Sequence, residues 1–371
     1  MCVWWLCVVI SASSALDPAS LFDEHLDKWE SFKTSFEKSY ASHKEEMTRF
    51  SIFKSNLARA EEMNAEQIVR GGEAVFGVTK FMDWTEEETR NLRGYVKKST
   101  SGRSKPHPSY TPYDYLGVSL LDDTDVPSGS ASWIGKLTTP IKDQQQCGSC
   151  WSFSTSEQVE SDAMRNLGVM MELSQAQLVQ CDRLAFGCQG GEPESAMQHI
   201  QASGGLSLAF DYPYSSGMAS GYTGICASEK IFPVVTVTDV YNFNQADNSS
   251  TSYLQGVEKA MAQYTFESGP IAIVVDASKW SLYRGGVMLA ETCGTQTDHA
   301  VQIVGLRTDV NPPYWIVRNS WGSEWGDEGG YIYLEYGKNT CALTSQPITC
   351  DTDIVDAERI SVTMEEEGLG L

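Results

Sequence analysis

The stretch Gln144-Gln145-Gln146-Cys147-Gly148-Ser149-Cys150-Trp151-Ser152-Phe153 decides how the rest of this chain is read. It holds two cysteines three residues apart, a glutamine six residues before the second, and a tryptophan directly after it. Three chemistries use such a pair: a zinc knuckle, a redox dithiol, or one nucleophilic thiol beside a structural one. A zinc site answers its first close pair with a second, and the sequence offers no second CxxC and no HxxxH. A redox CxxC belongs in a thioredoxin-like βαβ setting, which the flanking residues do not supply. The nucleophile reading places Cys150 at the start of a helix that runs to Asn166 and is closed by Gly168. A thiol at a helix N-terminus is more acidic than a free one, because the helix dipole favours the thiolate.

A thiolate hydrolase also needs an imidazole to take and return a proton, and a third group to orient that ring. The chain has five histidines. His25, His43 and His107 lie in an N-terminal segment and a linker, and His199 sits in a helical stretch beside Ala196 and Ile200. His299 remains, opening an apolar strand after Asp298, and Asn319 follows between a strand and a glycine turn. Singly, a histidine opening a strand or an Asn-Ser pair in a turn is ordinarily structural. Their order behind Cys150 is what singles them out.

The chain's 371 residues, 41% hydrophobic, suffice for one large or two ordinary domains. A formal charge of −22, most of its acid excess falling after Val126, argues against a nucleic-acid groove or an anionic membrane surface. Val3 to Ile10 are apolar and are followed by small residues to Ala15, the pattern of a secretory signal peptide over 1–15. That run is too short to span a membrane, and no other approaches the required length. The expected route is secretory, ending outside the cell or in a lysosome or vacuole, and Asn248 opens an N-glycosylation sequon. On that route most of the eight cysteines left after Cys2 and Cys7 are expected to pair.

Residues 19–95 read as helical, with stripes Leu26, Trp29, Phe32, Phe36 and Phe50, Phe53, Leu57, and with Gly71-Gly72 as a stop. Residues 99–125, with Pro106, Pro108 and Pro112, read as an extended, cleavable linker. Residues 172–203 continue helical around Gly187-Cys188-Gln189-Gly190-Gly191. After Phe232 come strand-like runs at 270–275, 299–304, 314–317 and 331–334. A helical half before a β-rich half gives an α+β fold with two lobes. Residues 350–371 read as an acidic, mobile tail.

Taken together these motifs resemble the papain/cathepsin family of cysteine proteases. In that family the histidine and asparagine follow the nucleophile by about 130–150 residues; here they lie 149 and 169 residues beyond Cys150. The resemblance extends to Gly187–Gly191, Tyr283-Arg284-Gly285-Gly286 and Trp321-Gly322-Ser323-Glu324-Trp325-Gly326. It implies a two-lobed papain-like domain over 126–350, with a helical left lobe and a β-barrel-like right lobe. It implies Cys150 as nucleophile, His299 as acid and base, Asn319 as the ring's orienter and Trp321 as its shield. Gln144 with the Cys150 N–H would form the oxyanion hole. The implied disulfides are Cys147–Cys188, Cys181–Cys226 and Cys293–Cys341; Cys350 would compete for Cys293 or stay a free thiol. No metal and no cofactor are implied, and a monomer is expected.

The N-terminal segment resembles the inhibitory propeptide of the cathepsin L-like branch, through Glu45, Arg49, Phe53, Asn56, Asn64 and then Gly77, Phe81 and Asp83. Thr79 stands where that branch usually has Asn, and helical spacing alone would explain Glu45 and Arg49 as an i,i+4 pair. The resemblance implies a zymogen whose residues 16–120 fold over the cleft as an intramolecular inhibitor, and protein or peptide substrates. Gly190 and Gly191 would present backbone to an extended peptide. Glu192, Pro193, Val274 and Ala300 would wall the pocket for the second residue before the cut, with Gln346 as its floor. A neutral floor predicts Leu, Val or Phe over Arg. A non-catalytic binding protein on the same fold would typically have lost its nucleophile, and here all four catalytic positions are intact.

Overall fold

The computed structural model describes residues 18–98, 104–110, 128–245 and 250–366. The stretch read as a signal peptide and the sequon asparagine Asn248 lie outside the described residues. The chain opens with helices α1 (Pro18–Ser35), α2 (His43–Val69) and the single turn α3 (Glu86–Arg90). Two short strands follow, β1 (Lys105–Pro106) and β2 (Ser130–Ser132). Next come α4 (Cys150–Leu167), α5 (Gln175–Cys181), α6 (Pro193–Ser203), β3 (Leu206–Ser207) and α7 (Ser216–Ala219). Then β4 (Pro233–Asn242), α8 (Thr251–Glu267), β5 (Ile271–Val275) and β6 (Val287–Met288). The last elements are β7 (His299–Arg307), β8 (Tyr314–Arg318), β9 (Tyr331–Glu335), β10 (Ile348–Ile354) and α9 (Ala357–Glu366).

The strands join in the order β1-β4-β10-β5-β7-β8-β9-β6, with β2 on β7 and β3 on β4. One core lies among α4, α5, α6 and β4, around Trp151, Val159, Ile200 and Val235. The other gathers Val257, Met261, Ile303 and Trp315 from the β-rich half with Trp29, Phe50 and Phe53 from the N-terminal helices. The N-terminal segment thus shares a core with one lobe.

Helix α4 runs between the lobes, and every residue from Cys150 to Ala163 is buried despite a sequence full of Ser, Glu and Gln. An unpaired buried charge costs several kcal/mol, so each polar group must find a partner. Glu157 faces Arg318 at 3.2 Å, and Glu160 takes Thr139 and Lys142. The Ser154 hydroxyl donates to the Val301 carbonyl, and the Gln302 amide reaches the Glu157 carbonyl and the Ser161 hydroxyl. Burial still pushes the Glu157 carboxyl up to about 7. These bonds fix the start of α4 against β7, which sets Cys150 against Ala300, the residue after His299.

Three sequence expectations change. The β-rich half contains a long helix, α8, whose buried face is Tyr253, Val257, Ala260, Met261 and Tyr264. Residues 350–354 belong to β10, which pairs antiparallel with β4, and Ile360 of α9 is buried, so the described tail is folded where a mobile one was expected. Within the expected linker, β1 pairs parallel with β4, and the His107 ring packs against Tyr110, Tyr241, Phe243 and Tyr264. Enclosure by those rings lowers the His107 pKa to about 4.

In the N-terminal segment Arg49 makes a two-bond contact with Glu88, both at 2.7 Å, while Glu45 accepts from the Ala41 N–H. The i,i+4 Glu45–Arg49 pair is therefore replaced by a tertiary one, because Glu88 sits in a capping box with Thr85 directly beneath Arg49. Asn56 holds the Met82 and Trp84 carbonyls, and Asn64 holds both backbone groups of Phe76. These bonds shape 76–84, which lies on the β-rich lobe. The Thr79 hydroxyl donates to Ser281 O, the Gln67 amide donates to Val287 O, and the Gly77 N–H donates to Leu282 O.

Candidate active site

The loop before α4 is tied down by the Cys147–Cys188 disulfide, and Cys181–Cys226 and Cys293–Cys341 are bonded elsewhere. Cys150 and Cys350 carry free, buried thiols. Cys293 is taken by Cys341, so Cys350 stays a free thiol, and its sulfur sits 3.3 Å from an Asp162 carboxylate oxygen. Cys150 is the first residue of α4, and its sulfur accepts the Gly94 N–H at 3.2 Å.

His299 precedes Ala300 on β7. Its Nε2 lies 2.8 Å from Asn319 Oδ1, and that oxygen also accepts the Ser320 N–H. The second bond identifies the atom as the amide oxygen, so His299 Nε2 carries the proton. Nδ1 is buried and has no hydrogen-bond partner, which leaves it free to accept one. The Trp321 ring lies 4.9 Å from the imidazole, with the Trp280 ring edge-on at 6.0 Å. Both indoles are buried, so water is kept from the His299–Asn319 bond.

Gln144 is held by the Ser320 hydroxyl, which donates to its Oε1 at 2.7 Å. Its Nε2 donates to the Cys147 carbonyl at 2.8 Å and to the Leu92 carbonyl at 2.7 Å. The propeptide-like segment therefore puts a backbone carbonyl on Gln144 and a backbone N–H on Cys150. It continues along the cleft: the Gly191 N–H donates to Gly94 O, the Val96 N–H to Gly191 O, and the Tyr95 N–H to Asp298 O. The Arg93 guanidinium pairs with Asp298 at 3.3 Å. Two glycines make this approach possible. A Cβ on Gly94 would sit 1.8 Å from the Gly148 carbonyl, and one on Gly191 would meet the Trp151 ring at 2.5 Å.

Tyr95 packs against Cys150, Val274 and Ala300, the last two being cross-strand partners on β5 and β7. Pro193 starts α6 behind the pocket. The Gln346 amide donates to Glu192 at 3.1 Å and to Glu194 at 3.2 Å. The pocket's end is therefore two carboxylates bridged by an amide, not the neutral floor expected from Gln346 alone. Glu194 escaped the sequence reading because its side chain reaches the floor from the first turn of α6.

Under the segment both reactive groups are neutral. Burial pushes the Cys150 thiol up to about 12 and the His299 imidazole down to about 3. Leu92, Arg93, Gly94 and Tyr95 were not singled out from sequence. The signal available was a glycine followed by an aromatic directly after a capped turn, too common to decide anything alone.

The sequence profile of the papain family cysteine protease matches residues 130–350, and that of the cathepsin propeptide inhibitor domain matches residues 29–89. The chain is 34% identical to cysteine proteinase 1 of Dictyostelium discoideum, over 85% of this chain and 89% of that one. Its fold is similar to digestive procathepsin L 3 of Tenebrio molitor larval midgut, with TM-score 0.67 and 29% identity over 88% of this chain and 99% of that one. It is likewise similar to a recombinant stem bromelain precursor, with TM-score 0.68 and 27% identity over 89% of this chain and 99% of that one. This chain belongs to the papain family of cysteine proteases, and it carries a cathepsin-type inhibitory propeptide ahead of its peptidase domain.

Proposed function

We propose that Cys150, His299, Asn319 and Gln144 carry the peptide hydrolysis, and that Leu92–Val96 block it by lying where substrate would lie. The observation that carries this reading is the pair of backbone contacts at the cleft: Leu92 C=O on the Gln144 amide and Gly94 N–H on the Cys150 sulfur. A carbonyl held there is close to the nucleophile, and the covering segment offers the sulfur an N–H where productive substrate would offer a carbonyl carbon.

Once the segment leaves, the Cys150 proton passes to His299 Nδ1, and water returns to stabilise the resulting ion pair. The thiolate attacks the peptide carbonyl carbon. The oxygen takes up negative charge between Gln144 Nε2 and the Cys150 N–H at the start of α4. The imidazolium then protonates the departing amine, leaving a thioester. Water, giving a proton to His299, attacks the thioester and releases the acid and the free thiol. Asn319 holds the ring so that Nδ1 faces the sulfur in every step, and Trp321 keeps water off the bond that does so.

Residues 1–15 as a signal peptide, removal of the segment up to about residue 120, and delivery outside the cell or to a lysosome-like compartment belong to the same reading. The three disulfides support an oxidising route. The test is to hold purified zymogen at mildly acidic pH and follow both its N-terminus and hydrolysis of a denatured protein. The wild type is expected to shorten and become active together. A Cys150→Ser chain that gained activity would overturn the assignment.

A further inference from the structure

The cleft holds one feature that peptide hydrolysis as such does not require. Glu192 is 1% exposed, yet its Oε2 has no hydrogen-bond partner among the described residues, and Gln346 Oε1 is likewise buried without a partner among them. Glu194 stands beside them, its two oxygens taking the Ser104 N–H, Asn242 and Gln346. Two carboxylates and a spare amide oxygen thus converge on one end of the pocket that Tyr95 fills. Burial keeps the Tyr95 hydroxyl protonated, and both carboxylates add to that electrostatically.

The propeptide itself answers this charge. Tyr95 is followed by Val96, Lys97 and Lys98. The Lys98 N–H reaches Glu192 at 3.4 Å, and its ammonium lies on the Ser195 hydroxyl at 2.7 Å; burial pushes the Glu192 carboxyl up, and the Gln346 and Lys98 contacts work against that rise. When the segment is cut away, that cation leaves with it, and so does the Ser104 N–H that satisfies Glu194. The open pocket then presents Glu192 Oε2 and Gln346 Oε1 unmet, and Glu194 with one donor fewer. A buried acceptor left unmet costs about 1–3 kcal/mol, more if charged, so its best occupant is one that brings N–H groups. A side chain about as long as tyrosine, with an apolar stem for Val274 and Ala300 and a charged fork at its tip, meets that description. It is arginine, and lysine in its wake.

We propose that Glu192, backed by Glu194 and bridged to it by Gln346, makes this pocket select a basic side chain, so that the enzyme favours peptides with Arg or Lys two residues before the cut. The proposal rests on the reading that the strip beside Gly191 holds substrate. It reverses the preference for Leu, Val or Phe that a neutral floor implied.

The test uses the activated enzyme and two fluorogenic peptides that differ only at that residue, Arg against Leu. A charge-assisted hydrogen bond of about 1.5–3 kcal/mol predicts kcat/KM favouring Arg by roughly 10–150-fold. In Glu192→Gln the Arg-to-Leu ratio falls by at least about tenfold, and in Glu194→Gln it falls less. Leu favoured by the wild type overturns the proposal, and so does a Glu192→Gln enzyme that keeps the wild-type ratio. Cleavage with Leu favoured leaves the peptidase reading of Cys150 standing. Failure to cleave either peptide, or any denatured protein, removes both.

Discussion

The Leu92 carbonyl lies 2.7 Å from Gln144 Nε2, so the inhibitor's backbone occupies the donor that a substrate's oxygen would need. On the proposed mechanism, inhibition and catalysis compete for one atom. Removing that donor is expected to damage both. One donor of this kind is typically worth ~2.7–4 kcal/mol of barrier, or about 10²–10³ in kcat. Gln144→Ala should lose activity on that scale while its thermal transition and circular dichroism stay close to the wild type. A loss under about tenfold would remove Gln144 from the reaction.

Gly94 leaves no room for a side chain between the propeptide and the peptidase domain. Its Cβ position is 1.8 Å from the Gly148 carbonyl, an atom of a rigid loop held by the Cys147–Cys188 disulfide. Neither backbone can give way without losing the Gly94 contact to the Cys150 sulfur. Overpacking of this kind costs roughly 1–3 kcal/mol. The residual activity of uncut Gly94→Ala zymogen should therefore exceed that of the uncut wild type by about 5–150-fold. An unchanged residual activity would show that the segment blocks the cleft by other contacts.

Acid should loosen the closed state through His299. Burial lowers its pKa from 6.5 to about 3, so the closed zymogen disfavours the imidazolium. With serine at 150, so that no thiolate pairs with the ring, its contribution to closure is fully present above the ordinary imidazole value near 6.5 and is lost as pH falls toward 3. Glu192 and Asp298 are pushed upward by the same burial and work in the opposite sense, favouring closure as they take up protons. A single variant separates these groups. In Cys150→Ser zymogen, hydrogen-exchange protection of residues 90–98, corrected for intrinsic rates, should fall between about pH 7 and pH 5 more steeply with His299 present than in His299→Asn. Equal slopes in the two zymogens would take His299 out of the acid response.

What could be read from sequence follows from how local each signal is. Cys150 at a helix start, the order of His299 and Asn319, and the strand runs at β5, β7, β8 and β9 are short-range patterns. Helix α8 was equally legible, since Tyr253, Val257, Ala260 and Met261 repeat at helical spacing, but the polar residues before it read as a loop within a β-rich half. Strand β10 was missed for a different reason. Its acidic residues Asp351 and Asp353 read as tail, and only pairing with β4 makes them a strand. Arg49 and Glu88 lie 39 residues apart, and Gln346 and Glu192 lie 154 apart. No local period announces such pairs. The acidic pocket end was missed because Gln346 alone reads as a neutral floor, and nothing local joins Glu194 to it.

The central claim is that Cys150 is the nucleophile and that Leu92–Val96 cap it. The most direct measurement is to treat zymogen and activated enzyme with the same peptidyl epoxide, a thiol-directed reagent, and map the modified residue by mass spectrometry. The account predicts rapid loss of activity with one adduct, on Cys150, in the activated enzyme. It predicts little reaction in the uncut zymogen, where the thiol is buried beneath Gly94 and pushed up to about 12. Equal labelling of both forms, or an adduct on Cys350 with Cys150 untouched, would contradict it.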